Sequence, residues 1–191
     1  MPRSPQQRGF TLIEILVSVA IFATVMVIAL GALLSISESD RKAQTLKSVI
    51  NNLNFSLDAM SRAMRTGTNY HCDVTQGTVT SPRDCTQAGG GATSIAFLSA
   101  ENQTIRYCRG NGSTCSTTGT AVLVSKNGAA YAPLTAAEVT ITNLQFYVTG
   151  AQGATLQPYA VILLSGRVPV SASQNSTFDL QASVTQRLYD K

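Results

Sequence analysis

Hydrophobic and polar positions divide the chain into three regimes. Residues 10–34 read FTLIEILVSVAIFATVMVIALGALL, apolar on every helical face and interrupted by one charge, Glu14. The twenty residues 15–34 carry no charge at all. About twenty apolar residues cross a hydrocarbon core of about 30 Å, so this run predicts a membrane-spanning helix. From about residue 41 the pattern becomes amphipathic. Leu46, Ile50, Leu53, Leu57, Met60 and Met64 recur every three or four residues, and Ala43 and Val49 widen the stripe. Arg41, Lys47, Asn51, Asn54, Asp58, Arg62 and Arg65 take the opposite face. This is one side of a helix, so a single helix is expected over about 10–65, roughly 84 Å long. The stripe is expected to pack on the chain's own sheet, although a coiled-coil dimer has a similar rhythm. Thr66-Gly67-Thr68-Asn69 supplies the stop.

The third regime is β-like. Residues 67–94 read as a long loop of Thr, Ser, Gln, Asp, Pro and Gly, punctuated by Gly89-Gly90-Gly91. Strand candidates rich in Val, Ile, Thr, Tyr and Phe follow at 93–99, 104–109, 121–124, 139–149, 159–164 and 177–188. Turn signals separate them at 109–112, 126–128 and 150–153. Val139 and Ile141 alternate, and the alternation resumes after a shift at Leu144, Phe146 and Val148. Phe178, Leu180, Ala182 and Val184 mark one buried face of the last strand. Pro169 predicts that its strand ends near Val168 or lies at an edge. The expected fold class is therefore α+β, with a long N-terminal helix, half transmembrane and half amphipathic. It packs on an antiparallel sheet of four to six strands, giving a ladle. The 125 or so residues after the helix suit a single core.

A secretory signal and a buried core helix both account for the apolar run less well. A secretory signal has an apolar region of about 7–15 residues followed by a small-residue cleavage site. This run is longer, and no A-x-A follows it. A buried core helix would need a large protein around all its faces. Arg3 and Arg8 precede the run without any acidic residue, which predicts a cytoplasmic N-terminus. A carboxylate such as Glu14 costs about 2.5–3.5 kcal/mol at a bilayer centre, so it reads as a functional group by default.

The segment Gly9-Phe10-Thr11-Leu12-Ile13-Glu14, with its basic leader and the apolar run behind it, resembles the N-terminus of type IV prepilins and type II secretion pseudopilins. The resemblance is strong over about 35 residues and architectural beyond them. It implies cleavage between Gly9 and Phe10 by a prepilin peptidase, N-methylation of Phe10 by the same enzyme, and subunit assembly through Glu14. It also implies the pilin-like ladle. Glycine suits a cleaved position because no Cβ obstructs the protease. A snorkelling charge is the bland account of Glu14. Many major pilins have a proline in the second half of this helix. Here Gly31 stands in its place, and it permits either close helix packing or local loosening. Residues 57–62 and 178–188 resemble those of J-type pseudopilins and PilW-like minor pilins.

Four cysteines, Cys72, Cys85, Cys108 and Cys115, lie beyond the span, on the side where disulfides persist. Their C-x12-C and C-x6-C spacings are unlike the C-x2-4-C of zinc sites, and His71 alters that little. Local pairing, Cys72 with Cys85 and Cys108 with Cys115, is favoured, though three connectivities exist. The net charge of +4 falls to +2 without Arg3 and Arg8. Arg83, Arg106 and Arg109, with Tyr107, are either a solvated face or a patch for phosphates or an acidic partner. No catalytic set is present: there is a single histidine, and H-E-x-x-H, G-x-S-x-G and a phosphate-binding loop are missing. Four N-x-S/T triplets, at Asn54, Asn102, Asn111 and Asn175, read as chance.

These observations describe a structural subunit rather than an enzyme, with no cofactor and no metal. The expected parts are a leader (1–9), a transmembrane or filament-core helix (10–34), an amphipathic spine (35–66) and a β-rich head with stapled loops (67–191). The resemblance implies a minor pilin or pseudopilin of a type IV pilus or type II secretion pseudopilus. A major pilin and a DNA-capturing minor pilin of a competence pilus stay open. Implied partners are the peptidase/methyltransferase, other pilin or pseudopilin subunits, an inner-membrane assembly platform and membrane lipid, with nucleic acid less favoured. The implied location is the cytoplasmic membrane, single-pass, with the N-terminus cytoplasmic and the head external, and then the filament.

Overall fold

The computed structural model describes residues 9–73, 79–152, 156–171 and 174–187. The chain forms two compact units, Met1–Gln44 and Thr45–Lys191. One helix, α1 (Leu12–Arg65), begins in the first and ends in the second. Among the described residues it is the one helix long and apolar enough to cross a membrane.

In the first unit α1 has no apolar side chain buried. Large hydrophobic residues from Leu12 to Ile36 are 46–78% exposed on all faces. Ser18 and Thr24 donate their hydroxyls to the carbonyls of Ile15 and Ala20, each at 2.9 Å. They therefore bring no unmet hydrogen bond into an apolar surrounding. Polarity returns with the Glu38–Lys42 ion pair (2.9 Å) and the Asp40–Gln44 hydrogen bond (2.9 Å).

In the second unit the end of α1 packs on two antiparallel sheets, where the sequence pattern predicts one. The first contains β1 (Thr68–Cys72), β2 (Ser94–Leu98), β3 (Thr104–Asn111), β4 (Thr114–Cys115), β5 (Ala121–Lys126) and β6 (Ala132–Pro133). Its order is β1-β2-β3-β5-β6, with β4 paired to β3. The second contains β7 (Thr140–Thr149), β8 (Tyr159–Ser171) and β9 (Gln174–Thr185), in that order. A 3-10 turn lies at Gln87–Gly89.

The core joins Val49, Leu53, Leu57, Met60 and Met64 of α1 to Ile95, Phe97, Tyr107, Leu144, Phe146, Ile162 and Leu164 of the strands. Each such side chain contributes about 1.5–3 kcal/mol on burial. The buried stripe is rotated from the expected one. Ile50 is 48% exposed, while Ser56 is fully buried. Ser56 Oγ donates to the carbonyls of Asn52 (2.9 Å) and Leu134 (3.0 Å), and the Asn52 amide oxygen accepts the Ala136 N–H at 3.0 Å. The helix therefore binds the 134–136 segment through polar groups that a hydrophobic count does not register.

Three strand expectations need correction. The loop expected over 67–94 contains β1, whose Tyr70 places its ring 5.8 Å from Phe97. The Tyr70 hydroxyl donates to the carbonyls of Met64 and Gly67. Of the two readings of Pro169, the strand end near Val168 fails and the edge position holds, because β8 runs to Ser171. Its pairing with β7 stops at Arg167, so Pro169 lies where only β9 is a neighbour and its missing N–H costs no ladder bond. β9 ends at Thr185, and Leu188, expected in that strand, lies outside the described residues. The shift in alternation between Ile141 and Leu144 is a register shift between Ile141 and Asn143, and Val139, Ile141, Leu144, Phe146 and Val148 are all buried.

Candidate functional site

Gly9 and Phe10 lie in exposed, non-helical backbone, with Phe10 78% exposed. Thr11 sets the boundary. Its Oγ1 accepts the Glu14 N–H at 3.3 Å, and its carbonyl accepts the N–H groups of Glu14 (3.1 Å) and Ile15 (3.3 Å). The side chain thus satisfies an orphan donor of the first turn. Thr11-Leu12-Ile13-Glu14 is the T-x-x-E spacing of a capping box, a signal within the expected motif that makes Thr11 a further residue of this site. The cap keeps the Gly9–Phe10 bond out of the helix. Glu14 stands in the first turn, where a negative group favours the helix end by about 0.3–1 kcal/mol. A Cβ added at Gly31 would meet nothing within 4 Å. The first unit does not itself need a glycine there, and the bare backbone is open to close approach by another helix.

In the head, the cysteine sulfurs join Cys72 to Cys85 and Cys108 to Cys115, each pair with Cα atoms 5.8 Å apart. Cys72 is on the core face of β1, opposite Ile95. Cys85 exchanges two backbone hydrogen bonds with Val148 of β7, both 3.0 Å, and Ala92 does the same with Phe146 at 2.9 and 2.7 Å. Arg83 pairs with β1 through Tyr70 (2.9 Å) and Cys72 (3.2 Å). Residues 83–92 are therefore a strap across the two sheets, pinned where the disulfide lies. The Asp84 carboxylate holds the strap to the next turn by accepting the N–H groups of Gly150 (3.2 Å) and Ala151 (2.7 Å). Beside the strap is a polar groove of about 720 Å³ lined by Arg83, Gly90, Gly91 and Gln145. The second cysteine pair clamps the β3–β4 hairpin, where Gly110 faces Cys115. Gly119 packs on Gly110 so closely that a Cβ would strike its backbone.

The arginines do not form one patch. Arg109 Nε donates to the Gly119 carbonyl at 2.5 Å and Nη1 to the Thr142 carbonyl. Its guanidinium ties the hairpin to the β7 bulge, and burial pulls its pKa down. Arg106, three residues away in β3, lies on the opposite face, level with Ala96 and Ser125, with its Nε buried and unbonded. Arg83 is exposed on the strap. Tyr107 is in the core at 4% exposure, and burial pushes its phenol up to about 12. His71 is buried and donates Nδ1–H to the Ser81 carbonyl at 2.6 Å. Among the described residues no cluster of His, Cys, Asp and Glu is placed to hold a metal ion.

Residues 4–30 match the prokaryotic N-terminal methylation motif, the signature of type IV prepilins and pseudopilins. No curated protein and no solved structure matches the chain.

Proposed function

We infer that this chain, which carries the N-terminal methylation signature of type IV pilin-like and pseudopilin subunits at residues 4–30, is a minor subunit of a type IV pilus or type II secretion pseudopilus. One observation carries the inference. An exposed, non-helical Gly9–Phe10 junction stands directly before a capped helix whose apolar side chains from Leu12 to Ile36 are exposed on every face. Such a surface requires lipid or other helices around it.

The chemistry proceeds from the junction. A prepilin peptidase hydrolyses the Gly9–Phe10 peptide bond on the cytoplasmic side and methylates the new amine of Phe10. An α-amino group titrates near pH 8 and is mostly cationic at neutral pH. In a bundle of apolar helices that cation and a neighbour's Glu14 carboxylate offset each other's desolvation only as a close pair. The pair therefore selects one axial register between subunits, and Gly31 lets the helices approach. The platform in the membrane extracts the helix into the filament and the head remains outside. Residues 57–62 and 178–188 resemble the J-type pseudopilins and PilW-like minor pilins, which supports the minor role. DNA capture through Arg106 and Arg109 is disfavoured, because Arg109 is bonded to two carbonyls on the other face of β3.

The test is co-expression of the full chain with a prepilin peptidase, followed by mass spectrometry of the N-terminus. A mature chain beginning at N-methylated Phe10 is expected, and a chain retaining residues 1–9 overturns the inference. Abundance in sheared filaments separates the roles, since a minor subunit is scarce there and a major pilin dominates.

A further inference from the structure

Among the described residues, every sheet edge in the head is protected except one. β1 is five residues long and its free side pairs with Arg83. β6 is two residues long and contains Pro133. β7 is bridged by Cys85 and Ala92. Short strands, proline and covering segments are the usual defences of an edge. β9 has none of them. It runs for twelve residues, Gln174–Thr185, without proline, lysine or arginine, and among the described strands it pairs with β8 alone. Its core-facing side chains Phe178, Leu180 and Ala182 are only partly buried, so the hydrophobic core is open along this edge.

We propose that β9 is a self-association surface, on which a second copy of this chain adds its own β9 antiparallel and joins the two β7-β8-β9 sheets into one. The strand is self-complementary. With Leu180 opposite Leu180, Phe178 of each copy faces Ala182 of the other, so the partly buried apolar side chains share one face. The same register sets Asp179 against the second copy's Gln181 and keeps the two Asp179 carboxylates from facing each other. Like charges directly opposite would destabilise the pair. Strand addition supplies backbone hydrogen bonds for affinity, and the alternating side chains supply register.

The experiment uses the full chain purified in detergent micelles, with dimerisation followed by sedimentation across a concentration series. Gln181→Lys creates two Lys–Asp pairs across the axis and is expected to tighten dimerisation about threefold or more. Leu180→Lys places two ammonium groups opposite each other and is expected to weaken it about tenfold or more. Amide exchange in 174–185 is expected to slow as wild-type concentration rises, a readout that does not depend on either variant folding. A wild-type chain that stays monomeric, association that ignores both substitutions, or β9 amides whose exchange is independent of concentration overturns the proposal.

Discussion

Removing the two cysteine pairs separately is expected to have unequal consequences, and the strap is the reason. Closed-loop entropy treats the bridges almost alike. Cys72–Cys85 spans 13 residues and Cys108–Cys115 spans 7, giving about 3 and about 2.4 kcal/mol on the chain-entropy model. That difference is too small to decide anything. Both Cys72 and Cys108 are buried, at 2% and 1% exposure, so replacement by alanine leaves similar voids. The structure breaks the tie. Without Cys108–Cys115 the hairpin keeps its backbone pairs Gly110–Cys115 and Asn111–Thr114. Without Cys72–Cys85 the strap loses the covalent link between its β1 and β7 contacts, and the Asp84 clamp on Gly150 and Ala151 loosens with it. Cys72→Ala/Cys85→Ala should therefore cost at least about 3 kcal/mol, lowering a urea midpoint by about 1–3 M. Cys108→Ala/Cys115→Ala should cost no more than the loop-closure value of about 2.4 kcal/mol plus its small void. The assay is urea unfolding of the full chain in micelles, read by near-UV circular dichroism of the tyrosines, since the chain lacks tryptophan. Intact mass before and after reduction and alkylation checks the bridges themselves. A Cys108/Cys115 variant as damaged as the Cys72/Cys85 variant, or more so, would refute the role given to the strap.

Three further outcomes are expected. Glu14→Val should leave cleavage and membrane insertion intact while incorporation into filaments falls, as read by immunoblot of sheared material; normal incorporation would show that the carboxylate does not set register. Met60→Ala removes a side chain with no exposure and should cost about 2–5 kcal/mol in the same urea assay; a loss under about 1 kcal/mol would mean that α1 does not pack on the sheets as described. Burial raises the phenols of Tyr107, to about 12, and of Tyr70, above the ordinary value near 10. The folded state thus holds these protons more tightly than the unfolded one, so the stabilisation is full below pH 10 and is lost as pH rises towards 12. Each tyrosine should remove about 1.4 kcal/mol per pH unit in that window, and phenolate absorbance should show two late-titrating groups among the six tyrosines.

What the sequence revealed, and what it hid, divides by the range of the interaction responsible. The long apolar helix, the spine and the alternation of β7, with its bulge between Ile141 and Asn143, are patterns of neighbouring residues, and they were legible. The split into two sheets was not, because it depends on which strands pair across distance. β1 was hidden because Thr-Asn-Tyr-His-Cys is short and offers only Tyr70 and Cys72 as alternating apolar positions; its strand character comes from pairing with β2 and from Tyr70 on Phe97. Ile50 fits the helical spacing of the core stripe, but the buried stripe turns through Val49 and Ser56 once Ser56 finds the Leu134 carbonyl. Arg106 and Arg109 look like neighbours along the chain. Their different faces on β3 follow from strand geometry, which sets side chains an odd number of positions apart on opposite sides.

Thr11 changes how Glu14 should be understood. The motif presents Glu14 as one expensive charge in an apolar run, kept for a partner's amine. The geometry gives the same residue a local place as well, in the first turn of a helix capped by Thr11. The two places are compatible because they act at different times. Before assembly, the positive end of the helix lowers the cost of a carboxylate near the membrane edge by about 0.3–1 kcal/mol. That is well short of the several kcal/mol needed to desolvate an ion completely. The cap and the dipole can therefore hold Glu14 at the boundary but cannot carry it into a dry bundle alone. Only an opposite charge can close the difference, and the proposed cleavage after Gly9 would create one on Phe10, four residues before Glu14 in each chain. On that proposal, processing would do more than remove a leader: it would produce the cation without which the carboxylate opposes assembly.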